Sequence, residues 1–158
     1  MTEYPTLSFC IPGEPIAKGR PRVARRGKGF RVYTDEKTRE FEQAVAAAAR
    51  RAADDLGGWQ VGARVPLRLE VQVVCKRPAN RFRVVDDDGE RTAKTTRPDL
   101  DNYLKSLIDG LQGAGLFADD AQIVEIAARK AWGKILDRRE RAAEGAFCWV
   151  SLSVVPAL

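Results

Sequence analysis

Leu100-Asp101-Asn102-Tyr103-Leu104-Lys105-Ser106-Leu107-Ile108-Asp109-Gly110-Leu111 is the stretch on which the fold turns. Leu100, Tyr103, Leu104, Leu107, Ile108 and Leu111 recur at helical spacing and form one apolar stripe, as in a helix laid against a core. Gly113 and Gly115 end it. Upstream, Leu67, Leu69, Val71, Val73 and Cys75 alternate with Arg68, Glu70 and Gln72, the pattern of a half-buried strand. Downstream, Ile123 to Trp132 and Phe147 to Val155 read as two more strands, the second with Cys148, Val150, Leu152 and Val154 on one face. Near the start, Leu7, Phe9 and Ile11 alternate with Ser8 and Cys10 in a first strand ending at Pro12-Gly13. Thr34 can cap a helix with Asp35 and Glu36 in its first turn, running through Gln43 to Ala53 and stopping near Gly57-Gly58. The order β-α-β-α-β-β predicts an α/β (α+β) fold: a single-domain mixed β-sheet over 1–158 with two main helices packed on it.

Two connections fit neither period. Residues 13–31 mix glycine, proline and basic side chains and read as a basic loop, from which Phe30 to Tyr33 returns as a short strand. Residues 76–97 form a second basic loop carrying Arg81, Arg83, Arg91, Lys94 and Arg97 beside Asp86-Asp87-Asp88. That acidic run lacks the alternating ligand spacing of a calcium loop and reads as solvated chain. A connection this long in a small domain suggests a binding loop, a partly disordered segment, or both.

Composition narrows the chemistry. The 44% hydrophobic and 31% charged content is that of an ordinary globular protein. No apolar run approaches the ~20 residues of a membrane span, and Met1-Thr2-Glu3-Tyr4-Pro5 does not open a signal peptide, so a cytoplasmic protein is expected. Cys10, Cys75 and Cys148 stand singly in strand-like runs and read as small buried hydrophobes. There is no histidine, which removes Ser-His-Asp, Cys-His and HExxH chemistry. What remains is carboxylate, lysine, hydroxyl or metal. The formal net charge of +5 suits a polyanionic partner.

Against that positive background, carboxylates cluster. Asp99 and Asp101 lie at the start of the helix, and Asp119-Asp120 opens the strand that follows it. Helix capping accounts for one aspartate comfortably and for two less well. Bare carboxylates repel one another unless a cation sits among them, and oxygen donors without histidine or thiolate point to Mg2+, with Mn2+ as a substitute. Lys105 sits one turn beyond Asp101 on the same side of the helix. It is open to two readings: a surface salt bridge, or a cation steadying phosphate charge beside a metal.

In this order and spacing, Asp99-Leu100-Asp101-Asn102 with Lys105, followed by Gly115-Leu116-Phe117-Ala118-Asp119-Asp120-Ala121-Gln122-Ile123-Val124, resembles the RusA family of Holliday junction resolvases. Pro15-Ile16-Ala17-Lys18-Gly19-Arg20-Pro21-Arg22 is similar to a segment of its phage-type members. The resemblance implies a homodimeric, Mg2+-dependent endonuclease that cuts two strands of a four-way DNA junction symmetrically, in recombination and repair. It implies that Asp99, Asp101 and Asp120 bind the metal and that Lys105 assists catalysis. Lys18, Arg20 and Arg22, with the loop from Arg81 to Arg97, are the expected DNA contacts, mostly to phosphates. One departure stands out. Thr95-Thr96-Arg97-Pro98 occupies the place of an arginine run found in some members, leaving Arg97 as the local replacement. A general Mg2+-dependent DNA endonuclease and a non-catalytic junction-binding module are the alternatives.

Overall fold

Alternation in the central strand sets the layering of the molecule. The computed structural model describes residues 4–19, 22–33, 35–79, 91–137, 140 and 142–156, with backbone alone at 22 and 31–33. In chain order the elements are β1 (Leu7–Pro12), β2 (Arg22–Arg26), β3 (Gly29–Tyr33), α1 (Glu36–Asp55), β4 (Leu67–Cys75) and β5 (Thr92–Ala93). After these come α2 (Leu100–Gly113), β6 (Ile123–Trp132), β7 (Ile135–Asp137), β8 (Ala142–Ala143) and β9 (Phe147–Val154). The main sheet has the order β1-β9-β4-β6-β5. β4 is parallel to β6, and the pairings of β1 with β9, β4 with β9 and β5 with β6 are antiparallel. The mixed sheet with two helices is the architecture the sequence predicts.

Leu67, Leu69, Val71, Val73 and Cys75 are all buried and join Cys148, Val150 and Leu152 of β9 in the core. The helices close that core with Phe41, Val45 and Ala49 from α1 and Tyr103, Leu107 and Leu111 from α2. The two helices meet at Gly110, where an added Cβ would come within 2.7 Å of Val45 Cβ and 2.9 Å of Glu42 O. Only a residue without a side chain permits that approach.

Three expectations need correction. The segment 13–31 contains β2 as well as β3, paired as a hairpin, because a glycine turn lets the basic chain fold back on itself. The N-cap of α1 is Asp35, with no side-chain cap bond, and Thr34 lies outside the described residues. Cys75 and Cys148 are buried as expected, and burial pushes the Cys148 thiol up to about 12. Cys10 is exposed, because it lies on the sheet face that the helices do not cover. Of the second basic loop, residues 80–90, including Arg81, Arg83 and Asp86-Asp87-Asp88, lie outside the described residues.

β6 is close to being an edge strand. Among the described residues β5 covers Ala131 and Trp132, and Lys94 N donates to Lys130 O just beyond it, so Ile123 to Arg129 have a partner strand on the β4 side alone. Val124 and Ile126 in that stretch are 58% and 49% exposed. No helix among the described residues is long and apolar enough to cross a membrane.

Candidate active site

α2 forms because its apolar stripe matches the core face of the sheet, and its direction fixes where the acids go. Tyr103 Oη lies 3.5 Å from Cys75 Sγ, so the helix starts over the C-terminal end of β4. Asp99 is the N-cap residue, with extended backbone (φ −72°, ψ 150°), yet its carboxylate makes no capping hydrogen bond. The usual structural employment of an aspartate at this position is therefore absent. Asp99 instead lines a cavity of about 710 Å3 with Lys18, Gly19, Arg97, Pro98, Asn102 and Lys105.

One residue into the helix, Asp101 Oδ2 accepts from Lys105 Nζ at 3.0 Å, and both side chains are exposed. That hydrogen bond holds the Asp101 carboxyl below its ordinary range, with the charge of Lys105 adding to it. Arg97 is exposed, and its guanidinium engages no partner among the described residues. The mouth of α2 thus offers Asp99, the Lys105 ammonium and the Arg97 guanidinium around one opening, with Asp101 bonded to Lys105 beside it.

Two lysines hold the chain that leads into this mouth. Lys94 is buried and donates from Nζ to Thr96 O at 2.8 Å and to Arg97 O, while stacking over the Trp132 ring at 4.9 Å. Burial pushes its pKa down. Lys130 Nζ, on β6, donates to Thr96 O at 2.9 Å and Pro98 O at 2.7 Å. These bonds fix the turn that delivers Asp99. Neither lysine was recognisable in the sequence as a positioning residue, because each acts on backbone carbonyls that leave no sequence mark.

Lys18 lines the cavity but is already paired. Its ammonium bonds Asp109 and approaches Glu42 at 3.4 Å, and the Asp109 bond raises its pKa. Its backbone N–H donates to Asn102 O at 2.8 Å, and Ser106 Oγ donates to Ile16 O, so this strap is laid along α2. The expectation of a free DNA-contacting ammonium is thus qualified by two carboxylates. Arg20 lies outside the described residues, and Arg22 enters β2 with its backbone alone described.

The second acidic motif is at the other end of the helix. Asp119 caps a 3-10 turn, Asp120–Gln122, accepting from Ala121 N at 2.8 Å in a capping box with Gln122. Gln122 Oε1 accepts from Ala118 N and Asp119 N, and its Nε2 donates to Gly62 O and Val65 O, both at 3.0 Å. Asp119 and Gln122 therefore have structural roles, at the spacing a capping box requires. Asp120 is exposed and its carboxylate makes no hydrogen bond or ion pair with the described residues.

Within one chain Asp120 does not join Asp99 and Asp101, which corrects the convergence expected from sequence. Ile123 pairs with Leu67 at the start of β4, while Asp99 lies over the Cys75 end. The fourteen residues of α2, at ~1.5 Å each, put roughly 20 Å between the two ends. Among the described residues no three histidine, cysteine or acidic side chains gather closely enough to hold a metal ion.

These elements match a known family. The model of endodeoxyribonuclease RusA covers residues 12–139, which takes in the strap, both helices and both acidic motifs. The chain belongs to the RusA endodeoxyribonuclease family. It is also 29% identical over 134 residues to the uncharacterized protein YqaN of Bacillus subtilis (strain 168), covering 78% of this chain and 86% of that protein.

Proposed function

We propose that this chain is a Mg2+-dependent endonuclease that resolves four-way DNA junctions as a homodimer, each active site being shared between two protomers. The observation that carries the reading is Asp99: an aspartate at a helix start that does no capping and faces a cavity with Lys105 and Arg97. The donor chemistry there is all hard oxygen, which suits Mg2+. Two carboxylates are a partial ligand set, and Asp120 is the uncommitted third. Had nothing else pointed to a nuclease, its separation from the pair would count against one.

A two-fold axis removes that difficulty. Antiparallel pairing of β6 with its copy, along the open edge from Ile123 to Arg129, sets the start of one strand beside the end of the other. The start carries Asp120, and the end carries Lys130, which holds Pro98 just before Asp99. The same pairing covers Val124 and Ile126 and satisfies an exposed row of backbone donors and acceptors. Each site then combines Asp99 and Asp101 of one protomer with the partner's Asp120, and a dimer carries two such sites, as paired cuts require.

Mg2+ bound there would supply a hydroxide from water at neutral pH and offset charge on the scissile phosphate. Asp99, Asp101 and Asp120 would hold the ion. Lys105, already oriented by Asp101, would stabilise negative charge gathering on the phosphate oxygens, and Arg97 would hold the flanking backbone.

Replacing Asp101 with Asn should abolish Mg2+-dependent cleavage of a synthetic four-way junction and spare binding to it. Retained cleavage would remove Asp101 from the site. Equal cutting of linear duplex would make the protein a general endonuclease, and tight binding without nicking under any divalent ion would make it a junction-binding module.

A further inference from the structure

We propose that the β2–β3 hairpin is a DNA-contacting arm whose Phe30 stacks on a base exposed at the branch point, so that this ribbon sets the preference for junctions over duplex. The inference rests on the nuclease reading and adds to it the origin of branch selectivity. Among the described residues β2 and β3 pair with each other and with no strand of the main sheet. Gly27 at φ +60° opens a two-residue turn with Lys28, the arrangement that matches the twist of a tight hairpin. An isolated two-stranded ribbon is barely stable in water, so its use lies in what it contacts.

Its described side chains face solvent. All those described, from Val23 to Phe30, are exposed, and Phe30 reaches 76%. Arg25 pairs in register with Phe30 and shares its face of the ribbon. Arg25, Arg26 and Lys28 have no ion-pair partner among the described residues. An aromatic ring left in water beside uncompensated cations suits a polyanion that also offers flat apolar faces, which is the surface of unstacked nucleic acid.

Position agrees with chemistry. Gly19 lines the cavity that holds Asp99, and Arg25 follows six residues later, so it lies at most about 22 Å from that rim. A two-stranded ribbon fits a major groove, where Arg25, Arg26 and Lys28 would meet phosphates of either arm. In continuous duplex both faces of every base are covered, and Phe30 finds no platform. At a four-way crossover the flanking base pairs lose a neighbour whenever the arms unstack, and one face becomes available. Stacking there favours the branched substrate without reading its sequence.

The test uses a four-way junction with 2-aminopurine at the crossover, the same label mid-arm, and a matched linear duplex, all titrated in Ca2+. Wild-type protein should change the emission of the crossover label and leave the arm label nearly constant. Phe30→Ala should lose that change and bind the junction on the order of tenfold more weakly, with duplex affinity held within about twofold. Phe30→Trp should keep the affinity, and its own emission should be quenched by the junction. Phe30→Ala that binds the junction like wild type, with the crossover signal intact, overturns the inference and leaves the nuclease reading standing. A shift of Phe30→Ala from dimer to monomer in light scattering also overturns it, since Phe30 would then be a subunit contact. Wild-type protein that neither binds nor cuts the junction removes both.

Discussion

Asp99 and Asp119 each open a helical segment, and they are used in opposite ways. Asp119 turns its carboxylate onto Ala121 N, and Gln122 closes the box behind it. Asp99 holds the same N-cap position on a longer helix and makes no capping bond with its carboxylate. The turn at Asp119 is tied down by side chains of its own. The turn at Asp99 is tied down from outside, by Lys94 and Lys130 gripping carbonyls of Thr96, Arg97 and Pro98. Supporting a turn through its carbonyls frees the acid at its end for other work. Position in a helix therefore does not tell a structural aspartate from an available one; the bonds of the carboxylate do.

Breaking this comparison at its free end should have the largest effect. Asp99→Ala should reduce Mg2+-dependent cleavage on the order of a hundredfold or more, with the melting temperature unchanged within error. A large drop in stability instead would show that Asp99 does cap the helix. Next comes the helix between the two turns. Gly110→Ala puts a methyl against Val45 and Glu42 O, and should cost about 1–3 kcal/mol in denaturant unfolding. Unchanged stability would mean the helices are not in the contact described.

At the stitched end, Asp119→Ala should cost about 1 kcal/mol of stability with cleavage largely kept, the reverse of the Asp99 outcome. Loss of cleavage without loss of stability would move Asp119 into the site. The smallest effect concerns an ion pair that touches neither turn. Arg91 grips Glu144 through two bonds, at 2.7 and 2.8 Å, which holds the Glu144 carboxyl below its ordinary value. Because the folded state lowers this pKa, the pair stabilises the protein above the unfolded value near 4.5 and loses that effect as pH falls through the folded value. The melting temperatures of wild type and Glu144→Gln should differ at neutral pH and converge in acid, with cleavage alike throughout. Divergence in acid would contradict the assignment.

Much of this is legible in the sequence. The stripe from Leu100 to Leu111 and the alternation from Leu67 to Cys75 are strong because each buries a whole face, and both elements begin where the sequence placed them. The hairpin is half legible: β3 has the look of a strand, whereas β2, rich in arginine and exposed at every described side chain, buries nothing that would leave a pattern. The identity of the acids was legible and their distance was not. Asp99 and Asp120 are separated along the chain mainly by a helix, and a helix carries its ends apart as surely as it joins them. The buried setting of Lys94 was hidden for a simpler reason, since its acceptors are peptide carbonyls.

The shared active site can be tested by mixing two dead proteins. Asp101→Asn and Asp120→Asn should each fail to cut a four-way junction under Mg2+. Unfolded and refolded together in equal amounts, they should form about half heterodimers, each with one site that is wild type in every residue. The mixture should then nick single strands of the junction, at about a quarter of the wild-type site concentration. If all three aspartates act within one protomer, no intact site can form, and the mixture will be as inactive as its components.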